Sequence, residues 1–525
     1  MTVSNAIRFR LTPEAAERLL QRKRIAGAKV AGRSVRRSVE RFYDTPGLSF
    51  FKSGVAYSVQ EGGDADRHAL QQIGTAPEWI RPVRRQCLQL DLLEAEANPS
   101  AQNGSGSIYQ HVFTLRQERH ELKLKAKGCV LFLYIMRGQI ETEDRNGQVL
   151  LEDFCEAELS HKAEAGLALH DVSLRLLQVY DVRLQPQSLV ARGFALSGDA
   201  SGLKHAKAEP TVLDRGMTVG DGLQAACRNI MGHLLQNEAA ALSGQPNGIH
   251  QTRVAIRRFR AALRAFKKAL PYEGRKAYNG ELRWIQQSTG PARDWHVFLD
   301  ETLKLVGPAD IGAGEIARLK TRAKSRRREH SLEAAEVLVS RRYTRLLLRF
   351  GRWLRKLEQS GGDALARPIE PFARKAIAKA HRDLLAGIAA VREGVLEDMH
   401  KVRIDAKKAR YAVEFFQSLF DPESTQAYLD LVKQMQDKLG EANDARTARA
   451  LIAELDLEDF NPETAGTFLT WAENRIEDRL HMAGPGLEAL KNQPLQLERN
   501  ETPIGGEDTL QHRYPLAGEP ETGPH

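Results

Sequence analysis

The chain is short of cysteine, short of aromatics and without a long hydrophobic run, and each shortage removes a class of protein. Four cysteines in 525 residues (Cys87, Cys129, Cys155 and Cys227) are too few and too scattered for a disulfide framework. No C-x-x-C pair or Cys/His cluster offers the spacing of a metal site, so buried thiols in a reducing compartment are expected. The longest apolar run, Cys129 to Met136, has the length of a strand and falls far short of the roughly 20 residues that cross a bilayer. The opening Met1-Thr2-Val3-Ser4-Asn5 lacks the basic-then-apolar design of a secretory signal. A cytoplasmic protein without a membrane partner is the expectation. Aromatics are 6% of the residues, which leaves few rings to stack on unpaired bases and argues against single-stranded nucleic acid as a partner. Charge of one sign is also modest: 77 Lys and Arg stand against 68 Asp and Glu, a net +9. Where the bases cluster therefore matters more than their number.

The chain has two textures. Residues 1–198 are strand-rich: Val112 to Arg116 and His120 to Lys125 alternate with period 2, as does Glu156-Ala157-Glu158-Leu159 in part, and Val130 to Met136 suits a buried strand. Ala168 to Val179 is the main helical candidate in this half. Residues 199–212 read as a linker. From 213 to 492, Ala, Leu, Arg, Glu and Lys recur at helical spacing. Breaks near Gly244-Gln245-Pro246, Pro271, Gly307-Pro308, Gly361-Gly362, Pro368 and Pro422 predict an all-helical domain of about ten helices. Residues 493–525, rich in Pro, Gly and Glu, read as a disordered tail.

A single segment of the helical region occurs twice. His250-Gln251-Thr252-Arg253-Val254-Ala255-Ile256-Arg257-Arg258-Phe259-Arg260 returns 150 residues later as His400-Lys401-Val402-Arg403-Ile404-Asp405-Ala406-Lys407-Lys408-Ala409-Arg410. Gly290-x-x-x-Asp294 and Gly440-x-x-x-Asp444 each follow their histidine by 40 residues. His250, Arg253, Arg257, Arg260 and Arg264 step by 3 or 4 and form one ridge of a helix, and His400, Arg403, Lys407 and Arg410 form another. Val254 and Phe259 should flank the first with apolar contacts, and Ile404 and Tyr411 the second. Neighbouring bases on a helix repel by roughly a few tenths of a kcal/mol per pair. A single such ridge reads as a solvated face; two in register suggest a duplicated unit that holds negative charge. Arg341, Arg345, Arg349 and Arg352 make a further basic stripe, while Arg326, Arg327 and Arg328 read as solvated surface. Asp294 and Asp444 either aim a neighbouring base or cap a helix. The histidines either donate to a phosphate oxygen, better when protonated, or are satisfied in the core. Glu397-x-x-His400 has di-iron spacing, but Asn247 replaces the acid in the first copy, so no metal is expected there.

The paired His-x-x-Arg-x-x-x-base-base-x-Arg helices with their Gly-x-x-x-Asp echoes resemble the CHAD (conserved histidine α-helical) domain family over about residues 215–490. The resemblance implies two pseudo-symmetric helical bundles, basic helices around a groove, binding of inorganic polyphosphate and residence on polyphosphate granules. Carried over residue by residue, it implies contacts from His250, Arg253, Arg257, Arg258, Arg260, His400, Arg403, Lys407, Lys408 and Arg410, with Arg264, Arg345 and Arg349 in support. Polyphosphate has charge but no bases, which suits a groove of Arg and Lys without stacking rings.

The first half resembles the CYTH (triphosphate tunnel) family. Arg41-Phe42-Tyr43-Asp44-Thr45-Pro46-Gly47-Leu48 with Val55 to Gln60, Phe113 to Arg119, Glu156-Ala157-Glu158 and Ser188 to Phe194 carry the likeness. It implies an antiparallel β-barrel and a divalent-metal triphosphatase site. The family's opening Glu-x-Glu-x-Lys is here Ala6-x-Arg8-x-Arg10. That exchange removes metal ligands and adds cations, leaving Glu156 and Glu158 as weak metal candidates. Arg8, Arg10, Arg116, Arg119 and Arg192 remain as a possible tunnel anion site, and Arg8 and Arg10 should share a strand face. The alternative to that site is a solvated basic strand face, with Glu156 and Glu158 alternating on solvent. The expected architecture is therefore an α+β multidomain chain, an N-terminal antiparallel β-barrel followed by an all-α domain of two pseudo-symmetric bundles. The expected role is non-catalytic binding of polyphosphate, without cofactor. The competing reading is a Mg²⁺- or Mn²⁺-dependent triphosphatase holding metal on Glu156 and Glu158, with Arg116 and Arg119 clamping the substrate.

Overall fold

The structure, a computed structural model, describes residues 3–61, 67–73, 83–84, 109–126, 128–144, 146–161, 167–198, 205–306, 312–392, 396–455 and 462–492, with 495 and 497. Cys87, the break at Gly307-Pro308, residues 199–204 of the expected linker and nearly all of the expected tail lie outside the described residues. The chain divides into two compact units, one of residues 1–209, 226–364 and 444–475, the other of residues 210–225, 365–443 and 476–525.

The first unit opens with an antiparallel sheet. Its strands are β1 (Val3–Leu11), β2 (Arg24–Ile25), β3 (Ala28–Asp44), β4 (Val55–Gln60), β5 (Arg67–Gln72), β6 (Val83–Arg84), β7 (Gln110–Ala126), β8 (Cys129–Glu143), β9 (Val149–His161) and β10 (Val182–Leu184). The order is β10-β1-β9-β8-β7-β3-β4-β5, with β2 on β3 and β6 on β1. The two alternating segments 112–116 and 120–125 are thus one long strand, β7. The expected barrel is not closed: among the described residues no ladder joins β10 to β5. The physical reason is edge length. A closed barrel needs a continuous edge-to-edge ladder, whereas β10 offers three residues and β5 six beside the 17-residue β3 and β7.

Helices α1 (Pro13–Gln21) and α3 (Ala168–Val179) pack against β9, and α4 (Leu189–Leu196) against β7 and β8. Periodicity marked α3 in full; α1 and α4 are too short for it, and their signals are caps. Thr12 Oγ1 accepts from Ala15 N at 3.1 Å with Pro13 behind it, and Ser188 Oγ accepts from Ala191 N at 3.1 Å. A Cβ at Gly193 would lie 2.3 Å from the Phe113 ring, so only glycine lets α4 approach β7 this closely. The Asp44-Thr45-Pro46-Gly47 turn is held by the buried Asp44 carboxylate, which accepts from Thr45 N (2.7 Å), Phe50 N (3.0 Å) and Phe51 N (2.9 Å) of α2 (Ser49–Lys52).

The rest is helical: α5 (Val219–Gln236), α6 (Glu238–Leu242), α7 (Pro246–Ala265), α8 (Tyr272–Ser288), α9 (Gly290–Val297), a π turn at Phe298–Thr302, α10 (Leu303–Leu305), α11 (Ala313–Val339), α12 (Arg341–Ser360), α13 (Ile369–Ala389), α14 (Leu396–Phe416), α15 (Pro422–Glu454) and α16 (Pro462–Asn492). α12 shows why these segments fold: Tyr343, Leu346, Leu347, Phe350, Leu354 and Leu357 make one buried stripe, and Ser340 Oγ caps Tyr343 N at 3.1 Å. Two arginines of the same helix join it to the sheet half. Arg352 Nε lies 2.6 Å from Asp171 Oδ1 of α3, and Arg341 donates to the carbonyls of Leu177 and Tyr180 at that helix's C-terminus. Trp295, Phe298, Leu299 and Leu303 form a core with Leu451, Ile452 and Phe468. In the second unit α13 pairs with α14, and Val219 N and Gly220 N bond Arg367 O (2.8 Å) and Leu365 O (2.9 Å).

One buried acid sets a pH limit on the first unit. Glu238 is enclosed, accepts from Tyr343 Oη at 3.1 Å, and is pushed up to about 8 by burial, which outweighs that hydrogen bond. The folded state keeps a proton that the unfolded chain releases near the ordinary glutamate value of roughly 4.3, so stability is highest below that value and falls as pH rises toward 8. Glu238→Gln is expected to flatten this loss, by roughly 2–4 kcal/mol at pH 8.5 relative to pH 5 in denaturant titrations. Parallel pH profiles in the two proteins would contradict the assignment.

Candidate anion-binding site

The first basic ridge lies on α7, whose other face buries Ile249, Thr252, Ala255, Ile256, Phe259, Ala262 and Leu263. A Cβ at Gly248 would lie 2.4 Å from the Ala240 carbonyl carbon, so glycine lets α6 pack tightly where α7 begins. His250, Arg253, Arg257 and Arg260 are half-buried and Arg264 is exposed. Neutral groups of α8 and the turn after it hold two of them: Arg253 Nη1 donates to Gln286 O (2.5 Å) and Thr289 Oγ1 (3.3 Å), and Arg260 donates to Asn279 Oδ1 (3.0 Å) and Gln286 Oε1. These acceptors fix the guanidiniums without cancelling their charge. Arg257 has no hydrogen bond or ion pair among the described residues, and its Nε is buried. Arg258 is turned away from the ridge: it is buried and donates to Glu209 O at 3.1 Å.

The electrostatics record the crowding. Burial, then Arg293, Arg257, Arg253 and His205, pushes His250 down to about 4. Burial lowers Arg253 to about 10, against the pull of Asp294. Burial, then Arg327 and Arg293, takes His296 to about 4. Cations that depress one another in a half-buried cluster are relieved by an anion. In the free protein His250 is neutral near pH 7; the expected protonated donor requires an anion to be present. Asp294 sits inside α9 and Asp444 inside α15, so neither is a helix cap.

The second ridge lies on α14, in the other unit. His400, Arg403, Lys407, Lys408 and Arg410 are all half-buried. Lys408 is bonded to Asp405, and Arg410 Nε lies 3.2 Å from Glu414. Ile404, expected as an apolar flank, is 40% exposed, because it faces outward between Arg403 and Asp405. On α12 Arg345 and Arg349 are exposed, while the flanking Arg341 and Arg352 of the same stripe are spent on docking α3.

On the sheet, Ala6, Arg8 and Arg10 share one face. The register carries that face through Glu158 and Glu156 of β9, Tyr134 and Met136 of β8, Glu121 and Arg119 of β7, and Ser34 and Arg36 of β3. One end of the face is apolar under α4, where Phe42, Phe113, Met136, Ile140, Phe154 and Phe194 cluster. Its charged portion is largely self-neutralised. Arg8 Nε bonds Glu158 Oε2 at 2.9 Å, and Arg192, reaching down from α4, bonds Glu152 and Glu156. Glu156 and Glu158 are 1% and 7% exposed, so they are not a solvent face. Arg10 remains exposed on the Arg8 side, and Arg119 lies 3.8 Å above the Tyr134 ring. Arg116 is three residues from Arg119 on a continuous strand, hence on the opposite face, paired with Glu141 at 3.2 Å. The residues do not fit a divalent cation: each candidate carboxylate is already bonded to a guanidinium, and the described residues contain no group of three or more His, Cys, Asp or Glu suited to a metal.

The family model described as the CHAD domain matches residues 225–453. Residues 225–453 are a CHAD domain. The crystal structure of the CHAD domain from the plant Ricinus communis is similar to this chain, with 28% identity and a TM-score of 0.51, covering 57% of this chain and all of that one. PptA from Streptomyces chartreusis is similar at 16% identity and TM-score 0.41, over 54% of this chain and all of that one. A putative adenylate cyclase from Bacillus halodurans is similar at 14% identity and TM-score 0.23, over 37% of this chain and 96% of that one. No curated protein matches the chain in sequence. Among the described residues no helix is long and apolar enough to cross a membrane.

Within the CHAD domain, sequence reasoning missed Arg293, Arg327 and the neutral acceptors Asn279, Gln286 and Thr289. Arg293 stands inside the Gly290-Pro291-Ala292-Arg293-Asp294 signature, but it has no counterpart base in Gly440-Glu441-Ala442-Asn443-Asp444, so the repeat marks only the acid. The acceptors carry no periodic or charge signal, and only the packing of α8 on α7 shows them.

Proposed function

We propose that this protein binds inorganic polyphosphate through the CHAD domain and does not hydrolyse it. The carrying observation is the α7 ridge: Arg253 and Arg260 are fixed by neutral acceptors, Arg257 has no counter-charge among the described residues, and His250 is depressed by burial and then by the arginines around it. Such a ridge is built to receive an external polyanion. The α14 ridge is a second basic face of the same kind, in keeping with the two pseudo-symmetric bundles that the resemblance implies. The sheet half is a degenerate triphosphate tunnel in this reading, and the protein is cytoplasmic and granule-associated. Polyphosphate titration of the full chain across a salt series tests the binding. For catalysis, Arg8 and Arg192 on the carboxylates predict no phosphate release from tripolyphosphate with Mg²⁺ or Mn²⁺. Turnover that disappears on Glu156→Gln would make this an enzyme.

A further inference from the structure

We infer that His205–Glu209 is not a passive linker but a strap built into the anion site, which holds His205 beside the α7 ridge as an added contact for inorganic polyphosphate. The inference rests on the polyphosphate reading and deepens it.

The strap has no regular secondary structure, yet its backbone is gripped by buried side chains. Asn237 embraces Ala206 on both sides: Ala206 N donates to Asn237 Oδ1 and Asn237 Nδ2 donates to Ala206 O, each at 3.0 Å. His233 Nε2 lies 3.1 Å from the same carbonyl and 3.1 Å from Gln251 Oε1, so one N–H shared between two acceptors ties the strap to the residue that follows His250. Arg258 Nη2 closes the far end on Glu209 O at 3.1 Å. Asn237, His233 and Arg258 are 0%, 4% and 4% exposed.

A two-sided amide embrace fixes a backbone unit as a sheet ladder does, and therefore fixes where the neighbouring side chain projects. His205 stands beside the gripped Ala206 on the strap that His233 ties to Gln251. After burial and three arginines it is the last of the causes that lower His250, while Lys207 of the same strap is exposed. Three buried polar side chains are more than a loop needs simply to connect two domains. Loops are ordered at an entropic cost that chains accept where the position of a side chain matters. In this arrangement Arg258 is a positioning residue. It belongs to the repeated basic motif, yet it acts on the strap and not on the ligand. Asn237 and His233 position the strap in the same way.

The test is titration of the full chain with long-chain inorganic polyphosphate at low salt, followed by fluorescence anisotropy. His205→Ala is expected to weaken binding about fivefold, and His205→Lys to restore it and steepen the salt slope by about 0.7 to 0.9 for the added charge. Asn237→Ala should reproduce the His205→Ala loss, and the double variant should add less than about twofold, since both remove the same contact. If His205→Ala and His205→Lys both stay within about twofold of the parent while Arg257→Glu abolishes binding, the strap is only a linker and the polyphosphate reading stands. If Arg257→Glu changes nothing either, both fall. Should Asn237→Ala fail to fold by circular dichroism, the two His205 variants decide alone, because only a charged contact is rescued by lysine.

Discussion

Reversing charge at Arg257 and Lys407 together is expected to weaken polyphosphate binding by the full chain at least a hundredfold at low salt, with the fold intact. Each reversal removes one phosphate contact and places a like charge against the chain, and either effect is worth roughly tenfold at close range. Arg257 is the better choice on the first ridge because it holds nothing else among the described residues, whereas Arg253 and Arg260 also brace α8 through Gln286. Arg403 and Arg253 reversed together should act in the same direction, with a folding penalty from the lost bond to Gln286 O. Arg326→Glu is the control: Arg326 pairs with Glu329 one turn away on exposed α11 surface and should stay within about twofold. Binding of the Arg257→Glu, Lys407→Glu protein within about threefold of the parent would remove the ridges from the account.

The second large effect is on protons. His250 is depressed to about 4 by burial and by Arg293, Arg257, Arg253 and His205. A bound polyanion neutralises those arginines and favours the imidazolium, so the bound value is higher than the free one. Binding then takes up a proton in the window between about 4 and the bound value, and affinity rises as pH falls through that window. Below about 4 both states are protonated and the dependence levels off. His296, pressed down to about 4 by burial, Arg327 and Arg293, adds to the same trend. Calorimetry in buffers of different ionisation enthalpy at pH 6 should show net proton uptake on binding. His250→Asn should remove about half of it, which separates the protein's contribution from titration of the polyphosphate ends. Uptake unchanged in His250→Asn would show that His250 is not near the ligand.

How much of this was legible in the sequence follows from where each signal lives. The ridges were legible because a helix maps sequence spacing directly onto a face: His250, Arg253, Arg257 and Arg260 need only the 3.6-residue period. What each base does was not, because that depends on the neighbouring element. Arg258 stands in the same motif as Arg257 but points at Glu209, and Arg341 and Arg352 look like ligand bases until α3 is seen against them. On the sheet, parity alone places Arg116 opposite Arg119, so that separation could have been read in advance. The exchange of acids for Arg8 and Arg10 was visible in the sequence. Its consequence was not: Arg8 sits on Glu158, and Arg192 arrives on Glu156 from a helix 36 residues further along. The open sheet was also hidden, since edge-strand lengths follow from pairing and not from local pattern.

The central claim, that the CHAD domain of this chain grips a backbone of phosphates through its basic ridges, is tested most directly by competition at equal phosphate concentration. Full-length protein saturated with labelled long-chain polyphosphate would be titrated with unlabelled polyphosphate and with single-stranded DNA at several salt concentrations. The account predicts that polyphosphate displaces the label far better than DNA does, and that log affinity falls linearly with log salt with a slope of at least about 4 in magnitude. Equal displacement by DNA, or an affinity that salt leaves unchanged, would contradict it.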